Sequence, residues 1–321
     1  MRIILAPMEG LVDAPIRETL TKVGGIDRCV TEFIRVTHGM LPPRIFYKYA
    51  PELHNQARTE VGTPVAVQLL GSDPEMMGRH GAKAAELGAT QVDINFGCPA
   101  KTVNKHKGGC VLMREPDLMY EITAAVRRAV PTDVLVTAKM RLGYDDRSMG
   151  VACAQALEAA GAGEIVIHAR SKVDGYKPPA YWEEIARARE AVSCHVIANG
   201  EIWTVADYWR CREVSGCADV MIGRGLIARP DLARQIRASQ RGESVPDMTW
   251  PEVVQLVRHY ARALQTRLED KYVTGRIKQW LNYLRQGYPE AEALWPSARK
   301  HREVAPMLAC LDQIVAASAA A

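Results

Sequence analysis

The chain has 321 residues, 48% of them hydrophobic and 24% charged, with a formal net charge of +4. Such a composition suits a folded globular protein and argues against extended disorder. No apolar run approaches the roughly 18 residues of a membrane-crossing helix, and the opening Met1-Arg2-Ile3-Ile4-Leu5-Ala6-Pro7 is broken by proline too soon for a secretory leader. A cytoplasmic protein with no membrane partner is expected.

In chain order, the first apolar run is Ile3 to Met8, the second Cys29 to Val36, the third Val65 to Leu70 and the fourth Val92 to Asn95. Leu135 to Met140, Ile165 to His168, Val196 to Asn199 and Val220 to Gly223 follow. Helical spacing fills the intervals, with helix starts such as Asp73-Pro74-Glu75, Glu115-Pro116-Asp117 and Thr204 to Cys211, where proline or an acid opens the helix. Eight strand-and-helix units predict a closed parallel α/β architecture, a (β/α)8 TIM barrel over residues 1–241. Beyond about Arg237 the pattern turns purely helical, over Trp250 to Leu268, Arg276 to Arg285 and Val304 to Ala317. A small all-helical domain is expected over residues 242–321, joined near Gly242 to Pro246.

Each run ends in a polar or glycine-bearing tail: Pro7-Met8-Glu9, Gln68, Asn95-Phe96-Gly97-Cys98, Lys139-Met140-Arg141, His168-Ala169-Arg170, Asn199-Gly200-Glu201 and Gly223-Arg224. The carboxyl ends of the strands carry the chemistry of such barrels, so these tails are candidate site residues. The last two tails stand where phosphate is commonly held, which points to a phosphorylated cofactor. Gly223-Arg224-Gly225-Leu226-Ile227-Ala228 also fits a dinucleotide fingerprint, but no further strand–helix–strand unit follows it. Lys139, between apolar neighbours, should send its ammonium into the barrel mouth. Cys98, between Gly97 and Pro99, should lie on a sharp turn at the rim. A free thiol is mostly protonated at neutral pH and can donate a proton, although a thiolate nucleophile activated by a nearby base is the competing role.

The eight cysteines show no paired C-x-x-C spacing, which points away from a metal site or a redox pair. Between Lys271 and Arg302 seven Lys or Arg stand against two acids, so a nucleic-acid backbone would be held there. Lys101, Lys105, His106 and Lys107 are expected on a loop.

Taken together, Ala6-Pro7-Met8-Glu9-Gly10, Val67-Gln68-Leu69, Asp93-Ile94-Asn95-Phe96-Gly97-Cys98-Pro99, Lys139-Met140-Arg141, His168-Ala169-Arg170, Asn199-Gly200-Glu201-Ile202 and Gly223-Arg224-Gly225 resemble the bacterial tRNA-dihydrouridine synthases. The resemblance runs in order over essentially the whole chain. It implies bound FMN, NADPH as reductant, tRNA as substrate and a monomer. It implies that Pro7, Met8, Glu9, Gln68, Lys139, His168, Asn199, Gly200, Glu201, Gly223 and Arg224 hold the flavin, and that Cys98 protonates C5 of a uracil reduced at C6. Asn95 and Arg141 would contact the flipped-out base, since an enzyme must unstack a nucleotide to reach its ring; Tyr176 would touch the RNA. Met8-Glu9-Gly10-Leu11-Val12-Asp13 and Gly275-Arg276-Ile277-Lys278-Gln279-Trp280-Leu281 are most similar to the subfamily that modifies uridine 16. There Arg35, Arg276, Lys278 and Arg299 would orient the tRNA. A flavin barrel acting on a free pyrimidine is the rival enzyme reading; it leaves the basic helical tail unexplained. A noncatalytic tRNA-binding protein is the other rival, and Cys98 and Lys139 speak against it.

Overall fold

The computed structural model describes residues 1–319, the last seven as backbone alone; residues 320 and 321, the end of the expected helical domain, lie outside the described residues. The apolar runs form nine strands: β1 (Ile3–Leu5), β2 (Arg28–Val30), β3 (Ile34–Arg35), β4 (Val65–Leu70), β5 (Gln91–Phe96), β6 (Leu135–Met140), β7 (Glu164–His168), β8 (His195–Asn199) and β9 (Val220–Ile222). Every pairing is parallel, and a β2–β4 pairing closes the order β2-β1-β9-β8-β7-β6-β5-β4-β3 into a barrel. Both β2 and β3 run along β4, at Cys29–Val65 and Ile34–Leu69, so together they make one of eight staves.

That stave corrects the expectation of a single run from Cys29 to Val36. The hydroxyl of Thr31 accepts the Gln68 backbone N–H at 3.0 Å, and Glu32 turns away to accept the Gly10 N–H at 2.6 Å. A side-chain oxygen thus takes the place of a backbone carbonyl and the ladder breaks for three residues.

Alternation along the strands sorts the residues into two layers. Val92, Ile94 and Phe96 of β5, and Val136, Ala138 and Met140 of β6, belong to the large apolar core beneath the surrounding helices. Ile4, Ala6, Val30, Ala66, Val166, Ile197 and Met221 form a separate small cluster. The alternate positions also carry polar groups. Glu164 bridges Arg28 (2.5 Å) and Arg2 (2.7 Å), and Asp219 accepts from Arg2 (2.5 Å) and contacts His195 (2.8 Å).

Helix starts follow local chemistry. Asp13 caps Ala14–Val23 by accepting the Ile16 N–H at 3.0 Å, Asp73 caps Pro74–Glu86 in the same way, and Thr204 with Asp207 forms a capping box on Val205–Ser215. After β9 the elements are helices: Arg224–Ala228, Leu232–Gln240, Trp250–Gln265, Asp270–Leu284, Pro289–Ala298 and Val304–Ala319. Two differ from expectation. The helix expected to start at Arg276 starts at Asp270, and Pro289–Ala298 forms despite an internal Pro296. Lys101–Lys105, expected in a loop, forms a short helix.

The late helices are fastened to the barrel. Trp280 is fully buried, donates its indole N–H to the Ile227 carbonyl at 3.0 Å and meets Tyr260 edge-on with ring centres 5.3 Å apart. Burying an indole of roughly 200 Å² contributes about 5 kcal/mol as an upper bound. Arg276 donates to the Gly10 carbonyl in the loop after β1 and lies 3.8 Å from Asp13. No helix among the described residues is long and apolar enough to cross a membrane.

Candidate active site at the barrel mouth

A cavity of about 530 Å³ opens at the carboxyl ends of the strands. Its wall contains Pro7, Met8, Glu9, Gln68, Lys139, His168, Asn199, Gly200, Glu201, Gly223 and Arg224, together with Cys98, Asn95, Arg141 and Tyr176. Parallel strands with polar residues at their last inward positions bring these side chains to one end although they are far apart in sequence.

Cys98 sits on a turn clamped from several sides. Asn95 Oδ1 accepts the N–H groups of Gly97 and Cys98, each at 2.9 Å, while the Cys98 carbonyl accepts from the Cys110 N–H (3.0 Å) and Asn104 Nδ2 (2.9 Å). Gly109, at φ +65°, allows this approach, because a Cβ there would fall 2.7 Å from the Cys98 carbonyl oxygen. Six of the eight cysteines are buried; Cys98 and Cys194 are half-buried. Burial, helped by the Glu9 carboxylate, raises the Cys98 thiol above its ordinary pKa, so it keeps its proton at neutral pH.

Cationic side chains line the same cavity. Lys139 Nζ donates to Asn199 Oδ1 at 3.0 Å, and burial with Arg141 nearby lowers its pKa to about 8. Asn199 is itself held by donating to the Met221 carbonyl at 2.8 Å. Burial among Arg141, Lys139, Arg170 and Arg224 keeps His168 well below its usual pKa and therefore neutral; its Nδ1 is buried with no hydrogen-bond partner, as is Nη1 of Arg170. Of these two residues His168 lines the cavity, and an unpartnered buried polar atom there is a group waiting for a ligand.

Arg141 is fixed by three carbonyls, donating at 3.0 Å each to Gly97, Ser171 and Gly175, and its Nη2 has no partner among the described residues. Tyr176 is 53% exposed, with the Arg141 and Arg224 guanidinium groups 5.0 and 5.3 Å from its ring centre. Gly200 and Glu201 both have positive φ, +123° and +57°, and reverse the chain after β8. Glu201 anchors that reversal through Arg170, Trp203 Nε1 (2.9 Å) and Arg224 (3.4 Å), contacts that hold its carboxyl below the usual range. Glu9 is exposed toward the cavity, and its partial desolvation with Glu32 close by raises its pKa to about 7.

Arg35, Arg276, Lys278 and Arg299 are absent from the cavity wall. Arg35 and Arg299 are exposed, and neither they nor Lys278 has a carboxylate partner within 4.0 Å among the described residues. Arg276 is committed to Gly10 and Asp13. Arg285 and Lys271, part of the same basic stretch, pair with Glu292 and Glu269.

Sequence reasoning missed Leu11, Phe33, Trp203, Gln279 and Tyr283, all in the cavity wall. Gln279 and Tyr283 come from the late helices. Their signal was available: with Arg276 they fall at i, i+3 and i+7, beside the apolar stripe of Ile277, Trp280, Leu281 and Leu284.

Comparison with known proteins agrees with this architecture. The tRNA-dihydrouridine(16) synthase of Pseudomonas syringae pv. tomato is 56% identical over 94% of this chain and 96% of its own. That of Aquipseudomonas alcaligenes is 52% identical over 99% and 100%, and that of Ralstonia nicotianae 47% identical over 98% and 96%. Among solved structures, a morphinone reductase mutant in complex with tetrahydroNAD has a TM-score of 0.50 at 14% identity, covering 74% of this chain and 86% of that one, a likeness of fold alone. The family model described as dihydrouridine synthase (Dus) matches residues 4–318, and the chain belongs to that family.

Proposed function

We propose that this protein reduces uridine to 5,6-dihydrouridine in the D-loop of tRNA, at position 16, with FMN bound in the barrel-mouth cavity and NADPH as its reductant. The observation that carries the reading is the protonated, half-buried Cys98 on a clamped turn, sharing one cavity with Lys139, His168 and Asn199. The residues fit a flavin nucleotide. The volume suits a cofactor, the unpartnered His168 Nδ1 offers a hydrogen bond, and Lys139 and Arg224 offer positive charge to an anionic group.

Pro7, Met8, Glu9, Gln68, Lys139, His168, Asn199, Gly200, Glu201, Gly223 and Arg224 form its wall. When bound, FMN supplies the hydride for C6 of the uracil. Cys98 gives its thiol proton to C5, which saturates the C5=C6 bond and leaves a thiolate to be reprotonated. Asn95 and Nη2 of Arg141 receive the flipped base, and exposed Tyr176 meets the RNA at the rim. Arg35, Lys278 and Arg299 hold phosphates, and Arg276 holds its helix against the loop after β1. In this reading residues 1–241 are the catalytic barrel and 242–321 the tRNA-recognition domain of a cytoplasmic monomer.

The test is to purify the protein, look for flavin absorbance, supply unmodified tRNA with NADPH, and map the product. A colourless protein, or no dihydrouridine, refutes the proposal; dihydrouridine elsewhere than position 16 refutes the position.

A further inference from the structure

Beneath the Cys98 turn, three side chains form a continuous chain of hydrogen bonds with a single direction. Asn95 accepts the Gly97 and Cys98 N–H groups through Oδ1 and donates from Nδ2 to Gln68 Oε1 at 2.8 Å. Gln68 Nε2 in turn donates to Asp93 Oδ2 at 2.7 Å. The other carboxylate oxygen, Asp93 Oδ1, accepts the Thr137 hydroxyl proton at 2.6 Å, and Thr137 Oγ1 accepts from Gln91 Nε2 at 3.0 Å. Asp93, Gln68 and Asn95 are all buried, at 1%, 0% and 8% exposure.

A carboxamide can face either way, with its oxygen or its amino group forward. Asp93 accepts at both carboxylate oxygens, from Gln68 and from Thr137, and so offers no donor in return; burial raises its pKa, and those two hydrogen bonds with Lys139 and Arg28 oppose that rise. Beside Asp93, Gln68 must therefore present its amino group, which turns its carbonyl toward Asn95. Asn95 must answer with its own amino group, and its carbonyl then lies where the two backbone donors of the turn need an acceptor. The reversed arrangement would set an amino group against two N–H groups.

We propose that Asp93 is a positioning residue for the reaction: through Gln68 and Asn95 it sets the polarity of a side-chain relay that holds the Cys98 turn. The inference rests on the role given to Cys98 above. Replacement by asparagine, Asp93→Asn, removes the constraint. If the introduced carboxamide keeps its oxygen toward Gln68, its amino group meets Thr137, which already accepts from Gln91, and the hydroxyl proton is stranded. If it turns the other way, the relay reverses and the turn loses its acceptor. The first arrangement leaves the Thr137 hydroxyl unpaired with the turn still held, and the second leaves the two turn N–H groups without their acceptor. A second substitution, Asn95→Asp, repairs this. In D93N/N95D the amino group of the introduced carboxamide donates to Gln68, Gln68 Nε2 donates to the introduced carboxylate, and that carboxylate accepts both turn N–H groups.

The experiment uses full-length, flavin-loaded protein and reads amide hydrogen exchange at Gly97 and Cys98 together with Cys98 alkylation by iodoacetamide, both by mass spectrometry. Asp93→Asn should speed exchange at those two amides by about tenfold or more, the loss of one buried hydrogen bond, and alter the alkylation rate, while β6 amides keep their protection. D93N/N95D should return the two amides to within about threefold of wild type. Unchanged exchange in D93N overturns the proposal unless D93N loses stability in urea and D93N/N95D recovers it, the signature of the stranded Thr137 hydroxyl. So does an equal loss over β6, which marks general loosening, or a double variant that stays unprotected. Should D93N fail to fold, a folded and protected D93N/N95D supports the relay and an unfolded one overturns it. Wild-type protein that makes no dihydrouridine sinks the proposed function, and the exchange pattern still reports on the relay.

Discussion

Replacing Lys139 by methionine removes a charge that the fold resists. Burial and the neighbouring Arg141 lower the Lys139 ammonium from its usual 10.5 to about 8. That displacement corresponds to about 3 kcal/mol against the charged form. The unfolded chain keeps this proton up to about pH 10.5, whereas the folded protein releases it above about pH 8. Between those values unfolding takes up a proton, so stability rises with pH; below about pH 8 the whole cost is present. Losing the hydrogen bond to Asn199 offsets about 1 kcal/mol of the gain. Flavin-stripped Lys139→Met should therefore be about 2 kcal/mol more stable than wild type at pH 7. It should also lack the alkaline rise that wild type shows. An anionic ligand reverses the balance by stabilising the ammonium, so the same variant should lose flavin on purification. Urea unfolding from pH 7 to 10 and flavin absorbance measure both effects. A stripped variant less stable than wild type at pH 7, or one that keeps its flavin, would refute the reasoning.

Cys98→Ala should retain flavin and bind tRNA while dihydrouridine forms about 10²-fold more slowly or worse, the usual general-acid contribution; single-turnover rates measure it, and an unchanged rate removes the role. Lys278→Ala combined with Arg299→Ala should weaken tRNA binding and lower the slope of log affinity against log salt by about 2, whereas a change in flavin content without one in tRNA affinity would show those residues misplaced. Gly109→Ala combines a positive φ with a Cβ 2.7 Å from the Cys98 carbonyl oxygen, so it should cost more than about 1 kcal/mol in urea unfolding and slow turnover as the turn shifts. Arg17 is fully buried and doubly hydrogen-bonded to Glu52 at 2.8 and 2.9 Å. Arg17→Met should strand that carboxylate and destabilise the fold by about 3–5 kcal/mol in urea unfolding.

The staves were legible in the sequence because strand and cap signals are local: Asp73, Thr204 and the apolar runs act over a few residues. The division of the second stave was not, since it depends on the Thr31 hydroxyl finding the Gln68 N–H on a neighbouring strand. Gln91-Val92-Asp93-Ile94-Asn95-Phe96 alternates polar and apolar, so the polar interior was written there, but an eye for apolar runs passes over it. The tails of the strands were found because their place at one end follows from parallel topology alone. Gln279 and Tyr283 were not, because their access to the cavity depends on how a late helix docks through Trp280 and Arg276. Arg276, a charge that sequence reading assigns to RNA, also engages Gly10 and Asp13, partners that its place in the sequence does not reveal. The roles given to individual residues came from the family resemblance, and geometry adds to them the partners that each side chain has already taken.

The helix Asp270–Leu284 walls the cavity through Gln279 and Tyr283, carries Lys278 beside them, and is pinned through Trp280 and Arg276. It behaves as a gauge block. Because one rigid rod touches both the place where a base would enter and the surface where a backbone would rest, the two cannot be reset separately. A slide of one turn, about 5.4 Å, would alter both, yet leave Cys98, Lys139 and Asn95 undisturbed on their strands. If the proposed roles hold, selectivity and chemistry are mechanically separable: the first could drift through the seating of a single helix while the second stays fixed.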